Sequence, residues 1–84
     1  MKANQKVIDG EGIVWEVLSV RKNDGKVFHQ RWEDFRVVTL VASGIDAECS
    51  ELAAIHDGLP GRVGGKKVTF VYLREDDASQ LLRQ

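Results

Sequence analysis

Two stretches of this chain, residues 36–42 and 67–73, carry apolar side chains at successive positions. Successive side chains of a β-strand point to opposite faces of its sheet, so that Val37 and Val38, for example, must face opposite ways. Strands that are apolar on both faces belong to sheets that are covered on both faces. We expect a helix to form one of the two covering layers. The other covering layer would be formed by residues 76–84, by closure of the sheet into a barrel, or by a second molecule.

The segment between these two stretches has the period of a helix, and we predict a helix over residues 44–57. Ser43 and Asp46 have the spacing of a capping box, with Ser43 as the N-cap. Gly58 is predicted to be the left-handed residue that ends the helix, and Pro60 follows it. The apolar stripe of this helix, which we expect to face the sheet, consists of Ile45, Cys49, Leu52, Ala53 and His56.

Other segments predict further strands and one more helix. Residues 13–20 are rich in β-branched and aromatic side chains, which favour a strand. The Asn-Asp-Gly sequence at 23–25 is typical of a tight hairpin turn, which leads into a second strand at 26–32. Asp76 or Asp77 is in position to cap a short helix near the end of the chain.

These elements predict one α+β domain over residues 1–84, with the order β-β-β-α-β. The predicted sheet is small and mixed, with four to five strands and one main helix packed on it. Residues 75–84 form a short helix or a frayed tail. A strand–helix–strand crossover would make 36–42 and 67–73 parallel. The alternative architecture is a small, partly closed β-barrel with the helix inserted.

Composition narrows the classes of function. The chain has 84 residues, a net charge of −1 and a pI of about 6.1, with no overall preference for nucleic acid or an anionic membrane. Cys49 is the single cysteine, so no internal disulfide forms and a reducing, cytoplasmic compartment is expected. No apolar run approaches the ~20 residues of a membrane-spanning helix, and we expect no membrane partner.

The motifs predict no catalytic, cofactor or metal site. Cys49 and His56 share a stripe of the predicted helix, but they lie about 10 Å apart along its axis, too far for shared zinc ligation. The glycine-rich segment 58–67 has Pro60 where a P-loop needs glycine, and it leads into a strand rather than a helix. We therefore expect a protein that is not an enzyme, with Cys49 buried as a small apolar residue.

Basic and aromatic residues alternate along two parts of the sequence. Such an arrangement on a sheet can stack bases and bind phosphates, although half-exposed strands show it as well. The candidate residues for a surface that binds nucleic acid or a protein partner are Arg31, Trp32, Arg36, Arg62, Lys66, Lys67, Tyr72 and Arg74. The predicted function is a small, non-catalytic interaction module that binds protein and self-associates as a dimer. The alternative is a nucleic-acid-binding protein that uses a basic and aromatic sheet face.

Overall fold

The computed structural model describes residues 1–22 and 35–83, and it confirms the α+β class. The strands are β1 Lys6–Ile8, β2 Val14–Lys22, β3 Arg36–Ala42, β4 Leu59–Val63, β5 Lys66–Arg74 and the two-residue β6 Leu82–Arg83. The helices are α1 Ile45–Glu48, α2 Glu51–Ile55 and α3 Glu75–Ala78. The strand predicted at 26–32 lies outside the described residues.

The described strands form one open sheet in the order β4-β5-β3-β2-β1-β6. Every neighbouring pair is antiparallel, and the five longer strands make up almost all of the sheet. The strands β4 and β6 are its two edges, so the sheet does not close into the barrel considered as the alternative. Pro60, which has no N–H to donate, lies on the edge strand β4, where proline is tolerated.

The sheet is antiparallel rather than mixed because an additional strand precedes β5. Residues 61–65 belong to the glycine-rich segment 58–67 and were not predicted to form a strand, but they provide most of β4 and its turn. Gly64 and Gly65 have φ values of 58° and 79°, and two successive positive φ values are those of a type I′ hairpin turn. The hairpin reverses the chain once more after the helices, so β5 runs antiparallel to β3. The predicted parallel pairing of 36–42 with 67–73 is therefore wrong.

The main helix is bent, and its buried face differs from the predicted stripe. The break lies between α1 and α2, where the Ser50 hydroxyl donates to the carbonyl oxygen of Ala47 at 2.7 Å and accepts from the N–H of Ala53 at 3.1 Å. These three small residues are the buried ones of the helical segment, and Leu52 of the predicted stripe packs partly buried against the same core. Ile45 is 66% exposed and Cys49 is exposed, because the bend at Ser50 rotates the two segments away from one continuous stripe.

Both ends of the helical segment also differ from prediction. Gly44, with no side-chain cap, precedes α1, so Ser43 is not its N-cap. At the other end Asp57, not Gly58, takes the left-handed conformation, with a φ of 51°. The N–H of Gly58 donates to the carbonyl oxygen of Ala53 at 2.7 Å, the long-range bond of a Schellman motif. Gly58 is required for space instead, since a Cβ there would lie 2.8 Å from the Cβ of Ala53.

The hydrophobic core lies between one face of the sheet and all three helices. Val38 and Leu40 share one face, as their alternation with Val37 predicts, and this face is the one that the helices cover. The buried residues of this core are Val7, Trp15, Val17, Val38, Leu40, Ala42, Ala47, Ala53, Val71, Leu73 and Ala78. Because Ala78 and the partly buried Leu81 pack into the same cluster, the C-terminal segment covers the helical side. It does not cover the second face of the sheet, which was one of the expected solutions.

Candidate functional site

The candidate site is the face of the sheet that lies opposite α1, α2 and α3, and we call it the open face. Val37, Thr39 and Val41 of β3 point to this side and are at most 8% exposed, flanked by side chains of β2 and β5. Around them, Val14 is 42% exposed and Leu18 is 41% exposed. No helix of the described residues packs on this face, so it is the largest part of the sheet available to a partner.

A concavity of about 160 Å³ lies in the middle of the open face. This volume is similar to that of cavities that hold one aromatic ring. A β-bulge helps to form it: the register between β2 and β3 shifts between Val17 and Ser19, and Leu18 is the extra residue. The concavity is lined by Leu18, Ser19, Arg21, Lys22, Val37, Thr39, Phe70 and Tyr72.

Two aromatic side chains of β5 form one wall of the concavity, and they differ in how closely the neighbouring strand packs against them. The ring of Phe70 lies against Gly61 of β4, so closely that a Cβ at position 61 would overlap the ring. Phe70 therefore packs as part of the sheet. Tyr72 lies opposite Thr39 and is only partly buried, so its ring is available to a ligand.

Charge is distributed unevenly between the two layers of the molecule. The strands β1 to β5 contain one acidic residue, Glu16, which pairs in register with Lys6. Their basic residues are Lys6, Arg21, Lys22, Arg36, Arg62, Lys66, Lys67 and Arg74. The three helices contain no Lys or Arg, and their acidic residues are Asp46, Glu48, Glu51, Glu75, Asp76 and Asp77. Although the net charge is only −1, the strands are therefore basic and the helices are acidic.

Three of the residues predicted as a binding surface lie on the open face. Lys66 borders it near Val14, and Tyr72 lines the concavity. Arg74 follows at the end of β5, with its guanidinium 4.3 Å from the centre of the Phe35 ring. The first half of the predicted surface, Arg31 and Trp32, lies outside the described residues.

The other predicted residues lie elsewhere. Lys67 borders a groove beside Glu48 on the helical side, and Arg62 is its cross-strand neighbour. Arg62 donates from Nη1 to the carbonyl oxygen of Gly65 at 3.1 Å. Arg36 is exposed at the start of β3, next to α3. The two basic stretches of sequence therefore do not form one continuous surface.

Sequence analysis missed the second wall of the concavity, which Leu18, Ser19, Arg21 and Lys22 provide. Arg21 alternates with Ser19, and this spacing alone indicated that they share a face. The bulge at Leu18 has no signal in the sequence. Neither Arg21 nor Lys22 forms an ion pair with any other residue that the structure describes.

In residues 1–22 and 35–83 no three His, Cys, Asp or Glu side chains are grouped so that they could hold a metal ion. Cys49 is exposed at the end of α1, and His56 follows α2. Among the helices that the structure describes, none is long and apolar enough to cross a membrane.

Comparisons with known proteins identify no relative. No protein-family model, no curated protein and no solved structure matches this chain. Its function is therefore argued from the geometry and charge of the open face.

Proposed function

We propose that the chain is a small, non-catalytic module that binds nucleic acid on the open face of its sheet. The observation that carries this proposal is the separation of charge between the layers, with the basic residues on the strands and the acidic residues on the helices. A phosphate backbone is attracted to the first layer and repelled by the second. The field of the molecule therefore orients a polyanion towards the sheet.

The open face also offers the contacts that nucleic-acid-binding sheets use. Arg21, which pairs in register with Val37, stands at one wall of the concavity and presents a charge that can contact a phosphate. Tyr72 stands at the other wall with a partly exposed ring. Cations beside an aromatic ring on a sheet surface are a recurring arrangement in proteins that bind single-stranded nucleic acid.

Self-association is the second candidate function, because apolar side chains are exposed on the same face. Val14 and Val63 are each 42% exposed, and Leu18 is 41% exposed. A two-fold dimer through this face would bury them. The same contact would bring two basic open faces, each carrying Arg21 and Lys66, against each other, and this repulsion opposes it. We therefore propose nucleic acid before a protein partner or a second copy. We also propose that the protein works in a reducing, cytoplasmic compartment.

Salt dependence of binding to a fluorescently labelled, mixed-sequence oligonucleotide tests the proposal. With two to four phosphates neutralised, the affinity should fall by roughly 10- to 50-fold between about 50 and about 200 mM salt. No complex at all would reject nucleic-acid binding, and a complex whose affinity does not change with salt would reject binding of phosphates by the basic residues of the sheet.

Light scattering at micromolar protein concentration separates the two candidates. A dimer through apolar contacts should persist at high salt, where the complex with nucleic acid dissociates. A mass of 9.4 kDa under both conditions would identify a monomer and reject self-association at that concentration.

A further inference from the structure

We infer that the nucleic acid is single-stranded, and that the concavity of the open face holds one of its bases against the ring of Tyr72. This inference rests on the proposed function and specifies its ligand. It concerns the same face of the sheet, but it adds the form of the nucleic acid, the residue that contacts a base and the residue that contacts a neighbouring phosphate.

The concavity has the size and lining for one base. Its volume is about 160 Å³, comparable with a cavity that holds a single aromatic ring. The floor is Val37 and Thr39, and Leu18 gives the far wall an apolar surface. A base stacked on the Tyr72 ring would contact these largely apolar side chains, whereas a phosphate alone would gain no binding free energy from contact with them.

Arg21 lies at a suitable distance from the Tyr72 ring to contact a phosphate next to the stacked base. Tyr72 is on β5 and Arg21 is on β2, with β3 between them. Neighbouring strands are about 4.8 Å apart, so two spacings separate the two backbones by about 10 Å. A base on Tyr72 and a phosphate on Arg21 would therefore belong to one short length of the same single-stranded nucleic acid.

A duplex does not fit these contacts. Its bases are already stacked and paired, so none is available to a ring on a flat sheet. Proteins that read a duplex commonly insert a helix or a two-stranded ribbon into its major groove. The described helices have four or five residues each and carry only acidic charge, which the phosphates of a duplex would repel.

Fluorescence anisotropy with three labelled probes of equal length tests the inference: an oligothymidylate, a mixed-sequence duplex, and an abasic sugar–phosphate strand. The wild-type chain should bind the oligothymidylate at least about 10-fold more tightly than the other two. Tyr72→Leu should weaken oligothymidylate binding by about 5- to 150-fold and leave the abasic strand unaffected, since stacking is the contact it removes. Tyr72→Phe retains the ring and should retain the affinity. Melting curves of both variants check that the fold is intact.

The outcomes distinguish this inference from the proposed function. Equal binding of all three probes with strong salt dependence would overturn the base contact and leave the proposed function standing. The base contact would also be overturned, and the proposed function kept, if Tyr72→Leu weakened the binding of all three probes equally or changed the binding of none of them. Binding to no probe would overturn both proposals. Selective binding of the oligothymidylate, lost in Tyr72→Leu and kept in Tyr72→Phe, supports both.

Discussion

Asp9 stabilises the turn between β1 and β2 through hydrogen bonds that its carboxylate accepts. The side chain is 7% exposed, and Oδ1 accepts from the N–H groups of Glu11 and Ile13, each at 2.9 Å. Oδ2 accepts from Nε1 of the fully buried Trp15 at 2.9 Å. One buried carboxylate thus satisfies two backbone donors and the indole of the largest residue in the core.

Asp9→Ala should lower the free energy of unfolding by about 2–4 kcal/mol. The substitution removes both acceptor oxygens, and with them all three hydrogen bonds, and it leaves the indole N–H of Trp15 buried without the bond it has in the native protein. Urea unfolding followed by circular dichroism measures the effect. Asp46→Ala, at an exposed aspartate of α1, is the control and should change stability by less than about 0.5 kcal/mol. Equal effects of the two substitutions would contradict the role of Asp9.

Cys49 should react with a thiol reagent in the native protein nearly as fast as in denaturant. The apolar stripe predicted that it would be buried, but it is exposed because the helix bends one residue later, at Ser50. Absorbance-monitored labelling of native and urea-unfolded protein at neutral pH compares the two rates. Native labelling more than about 100-fold slower would indicate a protection that the structure does not contain.

At the scale of elements, alternation along β3 and β5 correctly separated the residues of the two sheet faces, because a strand's period of two follows directly from backbone geometry. It did not indicate which of the two faces the helices cover. The bend of the helix was not predictable in this way. Ser50 has a polar side chain, which a helical wheel places outside, yet its hydroxyl is buried and bonded to Ala47 and Ala53. The hairpin before β5 was not predicted because two adjacent glycines are as common in an irregular loop as in a type I′ turn. Only the structure shows that Gly64 and Gly65 have the positive φ values of the turn.

Ser50→Ala should destabilise the protein by about 1–2 kcal/mol, because Ser50 is the N-cap of α2 and also satisfies the carbonyl of Ala47. Thermal unfolding measures the change. Ser43→Ala is a matched control, since the structure gives Ser43 no capping role, and its effect should stay below about 0.5 kcal/mol. A larger loss for Ser43→Ala than for Ser50→Ala would restore the continuous helix that the sequence predicted.

At the scale of the whole molecule, sequence composition predicted little about the binding site. Acidic and basic residues are nearly balanced in number, and their separation into layers appears only when strands and helices are placed on opposite sides. Lys66 and Lys67 are adjacent in sequence but face opposite sides of the sheet. Arg21 and Tyr72 are distant in sequence but line one concavity, because β2 and β5 both flank β3. Such juxtapositions depend on strand order, which local patterns do not encode.

Comparing Arg21→Gln with Arg62→Gln tests whether nucleic acid binds on the open face, because the two arginines lie on opposite faces of the same sheet. The measurement is the slope of log K against log salt concentration for binding of a single-stranded oligonucleotide. Arg21→Gln should weaken binding and reduce the magnitude of the slope by about 0.7, the contribution of one phosphate contact on a single strand. Arg62→Gln should leave both affinity and slope at the wild-type values. Equal changes in the two variants, or a change in Arg62→Gln alone, would show that the nucleic acid does not bind on the open face.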